Sequence, residues 1–236
     1  LVASFVCFVL SNAHDQMRMA VAFLGLNVKF VWTHAGISIG EDGPSQMGIE
    51  DVALASSLAG VKVMVPADGP SSKAATADML AEKGPTYLRL ARGKVAEVYP
   101  DGCDFTIGKA NQLRDGSDVT IIANGLMVAA ALDAAAELES AGVSARVLDM
   151  HTVKPIDEDA IAKAARETGK IVVAEEHLAH GGLGSAVAMA AARIQPVPIA
   201  YVNLGDQYAE SGDPMGLLQK YNLTPQAIVE AVKSLK

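Results

Sequence analysis

Only two cysteines occur in 236 residues, Cys7 and Cys103, and no Cys-x-x-Cys spacing exists. That excludes a disulfide framework and a dithiol redox motif, and points to a reducing compartment, with the cytoplasm as the expected setting. Aromatic residues make up 5% of the chain and tryptophan occurs once. The core must therefore be built from small aliphatic side chains, a mixture suited to parallel strands covered by alanine-rich helices. Basic clusters are missing, and the net charge is -8. Binding to a nucleic-acid backbone needs clustered Lys and Arg to displace counterions, so nucleic acid is not an expected partner. Long apolar runs are also missing. Leu1 to Leu10 is about half the ~20 residues a membrane span needs, and it lacks a basic leader and a cleavage pattern. We read it as a buried strand entering a helix, and expect no membrane partner. The chain opens without Met, in the middle of apolar sequence, so its first residue is not expected to be a natural domain edge.

The common catalytic signatures are absent as well. No G-x-S-x-G elbow, H-E-x-x-H helix or G-x-x-x-x-G-K-[ST] loop is found, which removes the usual hydrolase, zinc-protease and P-loop readings. Gly181-Gly182-Leu183-Gly184-Ser185-Ala186 follows a strand and precedes a helix, but the third glycine of a dinucleotide fingerprint would fall on Val187. A tight turn with close helix packing accounts for it better. Glu175, Glu176, His177 and His180 crowd the same turn without a partner cluster of metal-ligand spacing, so no metal ligands are assigned. A carboxylate at a strand end commonly holds a neighbouring imidazole or amide instead. His151, just after a strand, reads as a buried or turn-satisfied histidine.

What is present is an alternation of short β-branched runs and helical apolar spacing. The first set comprises a helix carrying Ala13, Met17, Ala20, Val21 and Leu24, a strand from Val28 to Thr33, a helix over Ile49 to Leu58, a strand over Val61 to Pro66, a helix over Ser71 to Glu82 and a strand over Thr86 to Leu90. Residues 96–116 change character, with Pro100-Asp101-Gly102 and Arg114-Asp115-Gly116-Ser117 marking turns around a short Thr106-Ile107-Gly108 piece, and read as a linker. Strands at Val119 to Ala123, Ala145 to Asp149, Ile171 to Glu175 and Ile199 to Asn203 then alternate with helices. Two terminal helices close the chain. Asp157 and Thr224 stand at helix starts as ordinary capping residues. The fold class is α/β, with two consecutive three-layer domains and mostly parallel sheets, over residues 1–95 and 117–236.

One loop concentrates chemistry. His34-Ala35-Gly36-Ile37-Ser38-Ile39-Gly40-Glu41-Asp42-Gly43-Pro44-Ser45-Gln46 places an imidazole, two carboxylates and an amide after an apolar strand, where open α/β sheets bind ligands. From the residues alone, a glycine-rich connection with a solvated Glu41-Asp42 pair is as good a reading.

Taken with Ser4-Phe5-Val6-Cys7-Phe8 and Ala13-His14-Asp15-Gln16-Met17-Arg18-Met19-Ala20, this loop resembles the pyrimidine-binding domain of transketolase. Val65-Pro66-Ala67-Asp68-Gly69, Leu90-Ala91-Arg92, Thr152-Val153-Lys154-Pro155-Ile156-Asp157 and Glu175-Glu176-His177 extend the resemblance over essentially the whole chain. It implies a thiamine-diphosphate enzyme that moves a two-carbon ketol unit from a ketose phosphate to an aldose phosphate in the pentose phosphate pathway. By position, Phe5 and Phe8 match aromatics that pack on the aminopyrimidine ring. His34 matches a histidine beside the reacting carbon of the donor sugar, Asp42 an aspartate that fixes a sugar hydroxyl, and Arg92 a ligand of the substrate phosphate. Gln46 stands where some members carry a second histidine; an amide there binds a hydroxyl but cannot titrate. Ser11 stands where some carry another aromatic.

The family's cofactor-activating glutamate lies well upstream of Phe5, and its diphosphate and Mg2+ motif belongs to an N-terminal domain. Neither falls within these residues, and Leu204-Gly205-Asp206-Gln207 is no substitute. The chain alone is therefore expected neither to hold the cofactor tightly nor to turn over. A homodimer, or a complex with a diphosphate-binding subunit, is implied. A 1-deoxyxylulose-5-phosphate synthase or a 2-oxoacid dehydrogenase E1 β subunit shares the layout, but His34 and Gly40-Glu41-Asp42-Gly43-Pro44-Ser45-Gln46 suit a hydroxylated donor better. An inactive association module is the alternative from another class.

Overall fold

Short runs of Val, Ile and Leu bounded by Gly, Asp and Pro become strands, and the apolar stripes between them become covering helices. The computed structural model describes residues 1–235, apart from the side chains of Val9 and Leu10. Lys236, the last residue of the expected second domain, and those two side chains of the apolar opening segment lie outside the described residues. The first unit runs β1 (Val2–Phe5), α1 (Val6–Gln16), β2 (Lys29–Thr33), α2 (Asp51–Ser57), β3 (Lys62–Met64), α3 (Gly69–Ala81) and β4 (Thr86–Arg89). The second runs β5 (Asn111–Arg114), β6 (Val119–Ala123), α4 (Met127–Ser140), β7 (Ala145–Asp149), β8 (Thr152–Lys154), α5 (Glu158–Glu167), β9 (Ile171–Ala174), α6 (Leu183–Ile194), β10 (Ile199–Val202), α7 (Pro214–Lys220) and α8 (Pro225–Ser234). No helix among them is long and apolar enough to cross a membrane.

Two five-stranded sheets result, in the orders β1-β2-β4-β3-β8 and β10-β9-β6-β7-β5. All pairings are parallel except β3 with β8 and β5 with β7. Successive strand residues face opposite layers, as the period of two requires. Ile121, Val147 and Val172 join the core under α4 and α8, while their neighbours Ile122, Leu148 and Val173 join the core under α5 and α6. In the first sheet, Val63 and Tyr87 face α2, whereas Met64 and Leu88 face Ala75 and Met79 of α3. The α2 face and the α5–α6 face share one core, so the units are fused rather than strung together.

Three expectations are corrected. The opening segment is a strand entering a helix but is not buried: Leu1, Val2 and Phe5 are exposed, because β1 has a partner on only one side. The stripe expected to bury Leu24 stops short. Helix α1 passes into a π-helical turn over Met17–Ala22, with Phe23 N–H donating to Arg18 O, and the extra residue per turn carries Phe23 and Leu24 to the surface. Residues 96–116, expected as a linker, contain β5, an edge strand of the second sheet. That segment is also tied back to the first unit, since the Asp68 carboxylate accepts from Val98 N–H and Tyr99 N–H.

Asp157 is a cap with two duties. One carboxylate oxygen accepts from Ala160 N–H at the start of α5 and the other from Ala110 N–H, just before β5. Asp157→Ala is expected to lower stability by about 1–2 kcal/mol, read as a shift in the urea midpoint with an unchanged slope.

Candidate functional site

The parallel strands of the first sheet end on one side, and the polar residues gather there. Phe5 closes β1, His34 follows β2, and Arg92 follows β4 by three residues. The His34 ring lies against the Phe5 ring, with centroids 4.2 Å apart and planes tilted by 57°. Its Nδ1 is 2.7 Å from the Thr33 hydroxyl. His34 has a φ of +64°, a left-handed conformation uncommon outside glycine, and one that merits a functional reading. Burial, reinforced by the nearby Arg92 guanidinium, holds the imidazole below the usual histidine value, so it is neutral at pH 7.

Arg92 spans the loop. Nη1 donates to the Ile39 carbonyl at 2.7 Å and lies 3.1 Å from the Asp42 carboxylate, with both side chains nearly half exposed. Gln46 is half-buried on the same loop. His34, Asp42, Gln46 and Arg92 are thus carried on the loop and the strand end facing it. Phe5 and Phe8 keep 47% and 45% of their surfaces exposed, so neither is a core residue. Flat apolar rings left in solvent, that of Phe5 against His34, offer faces on which a planar group can stack. The hydroxyl of Ser11, on the same helix as Phe8, is bonded to the Cys7 carbonyl. Among the described residues, no group of three or more His, Cys, Asp or Glu is placed to hold a metal ion.

Beneath the loop lies a buried polar cluster that sequence reasoning did not single out. Arg89 Nε donates to Asp51 Oδ2 at 2.8 Å, and Tyr87 donates its hydroxyl to the same oxygen at 2.5 Å. Arg89 Nη2 donates to the Glu176 carbonyl at 2.9 Å and reaches the Gly48 carbonyl at 3.3 Å. The visible signal is a charged residue inside the otherwise apolar strand Thr86-Tyr87-Leu88-Arg89-Leu90. A cavity of about 220 Å³ opens beside this cluster, lined by Pro66, Asp68, Arg89 and Ala91 and, from the second unit, Gly125 and Glu176.

The glycine-rich turn after β9 is explained by its acidic neighbour. The Glu175 carboxylate accepts from Leu183 N–H at 2.6 Å and Gly184 N–H at 2.7 Å, so it caps α6. A Cβ at Gly182 would collide with that carboxylate. His177 is buried, with Nδ1 2.8 Å from the Leu178 carbonyl. His151 is buried against Phe105, with ring centroids 3.8 Å apart.

Residues 1–97 match the family described as "Transketolase, pyrimidine binding domain", and residues 108–228 match "Transketolase, C-terminal domain". The chain is similar to the 6-deoxy-6-sulfo-D-fructose transketolase subunit of Clostridium sp. (strain MSTE9), 42% identical over 97% of this chain and 71% of that protein. It is 36% identical to a putative transketolase C-terminal section of Methanocaldococcus jannaschii, over 98% of this chain and 73% of that protein. A solved structure, a split gene transketolase described as an inactive beta4 tetramer, superposes with a TM-score of 0.90 at 40% identity, covering 99% of this chain and 74% of the other. Human transketolase is 35% identical over 99% of this chain, which covers 37% of it. With both domain families spanning nearly all of its length, the chain belongs to the transketolase family, whose cofactor is thiamine diphosphate.

Proposed function

We propose that this chain forms one half of a transketolase active site, which transfers a two-carbon ketol unit from a ketose phosphate to an aldose phosphate in the pentose phosphate pathway. The other half is a diphosphate-binding domain or subunit that carries Mg2+ and the phosphate end of thiamine diphosphate, and the assembly works in the cytoplasm. The supporting observation is the convergence of Phe5, His34, Asp42 and Arg92 at the carboxyl ends of β1, β2 and β4. Bound there, the cofactor supplies the carbanion stabilisation that making and breaking a carbon–carbon bond requires.

The residues of this chain divide the remaining work. Phe5 and Phe8 offer ring faces to the aminopyrimidine. His34 is neutral, and its Nδ1 is engaged by the Thr33 hydroxyl. Its Nε2 therefore exchanges hydrogen bonds and protons with the donor's oxygens near the reacting carbon. Asp42 accepts from a sugar hydroxyl, and Gln46 binds a second without titrating. Arg92, aimed by the Ile39 carbonyl, gives its free edge to the terminal phosphate as Asp42 turns to the sugar.

A sulfonate is the second reading for that anionic end. The Clostridium relative is named for a sulfo sugar, and a guanidinium fork accepts either tetrahedral anion. The test combines this chain with the diphosphate-binding chain of a split transketolase and follows ketol transfer. His34→Ala is expected to lower kcat by about a hundredfold or more, the scale of one positioned proton-transfer group. Arg92→Met is expected to raise KM about tenfold for a donor with an anionic end and to leave an uncharged donor unaffected, as loss of one charge-assisted contact would. Stable association without transfer would overturn the assignment, and faster turnover of a sulfonated donor would select the second reading.

A further inference from the structure

We propose that the second domain sets the conformation of the His34–Gln46 loop, with Glu176 as the positioning residue that locks Gly36 and Ser38 and through them the backbone of His34. The proposal rests on reading that loop as the donor-sugar site. Glu176 Oε1 accepts from Ser38 N–H at 2.7 Å across 138 residues of sequence. Gly36 has φ +84° and ψ -179°, a region essentially reserved for glycine, and a Cβ there would run into the Glu176 carboxylate. The other two glycines of the loop meet the same domain. A Cβ on Gly40 would sit 2.7 Å from Pro214 Cγ, and one on Gly43 would strike the Ser211 hydroxyl. The apolar residues of the segment, Ile37, Ile39, Met47 and Ile49, are buried in the second domain's core with Leu204 and Leu217. The glycine spacing of the loop is therefore the footprint of the second domain upon it.

Glu176 is itself clamped, because its carbonyl accepts from Arg89 of the first domain. It is fully buried, so its carboxylate has no freedom to release Ser38 without a larger opening. Two residues before Gly36, His34 sits in its left-handed conformation with its ring held on Phe5. Ala35 N–H and Gly36 N–H donate to the Leu90 and Gly48 carbonyls of the first domain, so Ser38 is the next point downstream at which the loop backbone is held, and there the hold comes from the second domain.

The test uses the full chain and reads amide exchange together with the titration of the His34 ring by NMR. Glu176→Ala is expected to speed exchange at Ser38 by about tenfold or more, while β6, a core strand, stays within about twofold. In the same variant the His34 pKa rises toward the ordinary histidine value as its ring gains solvent. Glu176→Gln retains an acceptor oxygen and is expected to restore both readouts. If Glu176→Ala does not fold, Gly36→Ala strikes the same contact from the loop side and is expected to give the same local loosening. Unchanged Ser38 exchange, an equal rise throughout β6, or failure of the Gln variant to rescue would overturn the positioning role. Neither readout needs sugar or cofactor. Loosening of the loop alongside undiminished transfer by an Asp42→Asn assembly would sink the sugar-site reading and leave the positioning role standing.

Discussion

Arg89→Met is expected to destabilise the chain by about 3–5 kcal/mol, the scale seen when one partner of a buried ion pair is removed. For a chain of this length that corresponds to a drop of roughly 6–20 °C in melting temperature. The guanidinium joins four places: the start of α2 through Asp51, the exit of the site loop through Gly48, strand β4 that carries it, and the second domain through Glu176. Methionine fills much of the volume but leaves the Asp51 carboxylate, whose Oδ1 already lacks a partner, with the Tyr87 hydroxyl alone. Lysine keeps the charge but cannot reach three acceptors in different directions, so Arg89→Lys is expected to recover less than half of the loss. Removing both charges with Arg89→Met and Asp51→Leu is expected to recover more than Lys does, because no uncompensated ion remains. A double variant no more stable than Arg89→Met would show that the contacts to the Gly48 and Glu176 carbonyls, rather than the ion pair, hold the site loop to the rest of the molecule.

The elements that sequence made legible are those whose burial is local. Val119–Ala123 and Ala145–Asp149 are β-branched or apolar runs between turns, buried on both faces, and they form strands at their expected bounds. Strand β5 was hidden because Asn111-Gln112-Leu113-Arg114 is an edge strand with a polar side, and polar residues next to turns read as linker. Strand β8 was hidden for another reason. Three residues, Thr152–Lys154, leave the second unit to pair antiparallel with β3 of the first, and no local pattern specifies a partner so far away. The same split runs through the site. His34, Asp42, Gln46 and Arg92 lie in compact motifs, so the family resemblance could single them out as candidates. The Arg89–Asp51 pair is 38 residues apart and the Ser38–Glu176 bond 138 apart. Glycines 36, 40 and 43 were legible as a turn, but the residues that forbid side chains there belong to the other domain.

His151→Phe and Asp149→Asn are expected to tilt the dependence of stability on pH in opposite directions. The two groups are buried near the end of β7. His151 is stacked on Phe105 with Nε2 unpartnered, and burial pushes its pKa down to about 4. Asp149 accepts from the Tyr99 hydroxyl at 2.7 Å with Oδ1 unpartnered, and burial pushes its pKa up to about 7. In the unfolded chain the histidine titrates near 6.5 and the aspartate near 3.8. Between pH 4 and 6.5 the unfolded state therefore holds more proton on His151, and the folded state holds more on Asp149. Stability from His151 is present above pH 6.5 and is lost as pH falls to 4, by about 3 kcal/mol at most. Stability from Asp149 is present below pH 3.8 and is lost as pH rises to 7, by about 4 kcal/mol at most. The slopes oppose each other over nearly the same window and largely cancel in the natural chain. Phenylalanine at 151 leaves the Asp149 slope exposed, so this variant should gain stability relative to the natural chain as pH falls from 6.5 to 4. Asparagine at 149 leaves the His151 slope exposed, so that variant should lose relative stability over the same interval. Urea unfolding at closely spaced pH values checks both. Parallel profiles for the natural chain and either variant would mean that the corresponding group keeps its ordinary pKa in the fold, and that the ring stack or the tyrosine hydrogen bond, rather than exclusion of charge, accounts for its burial.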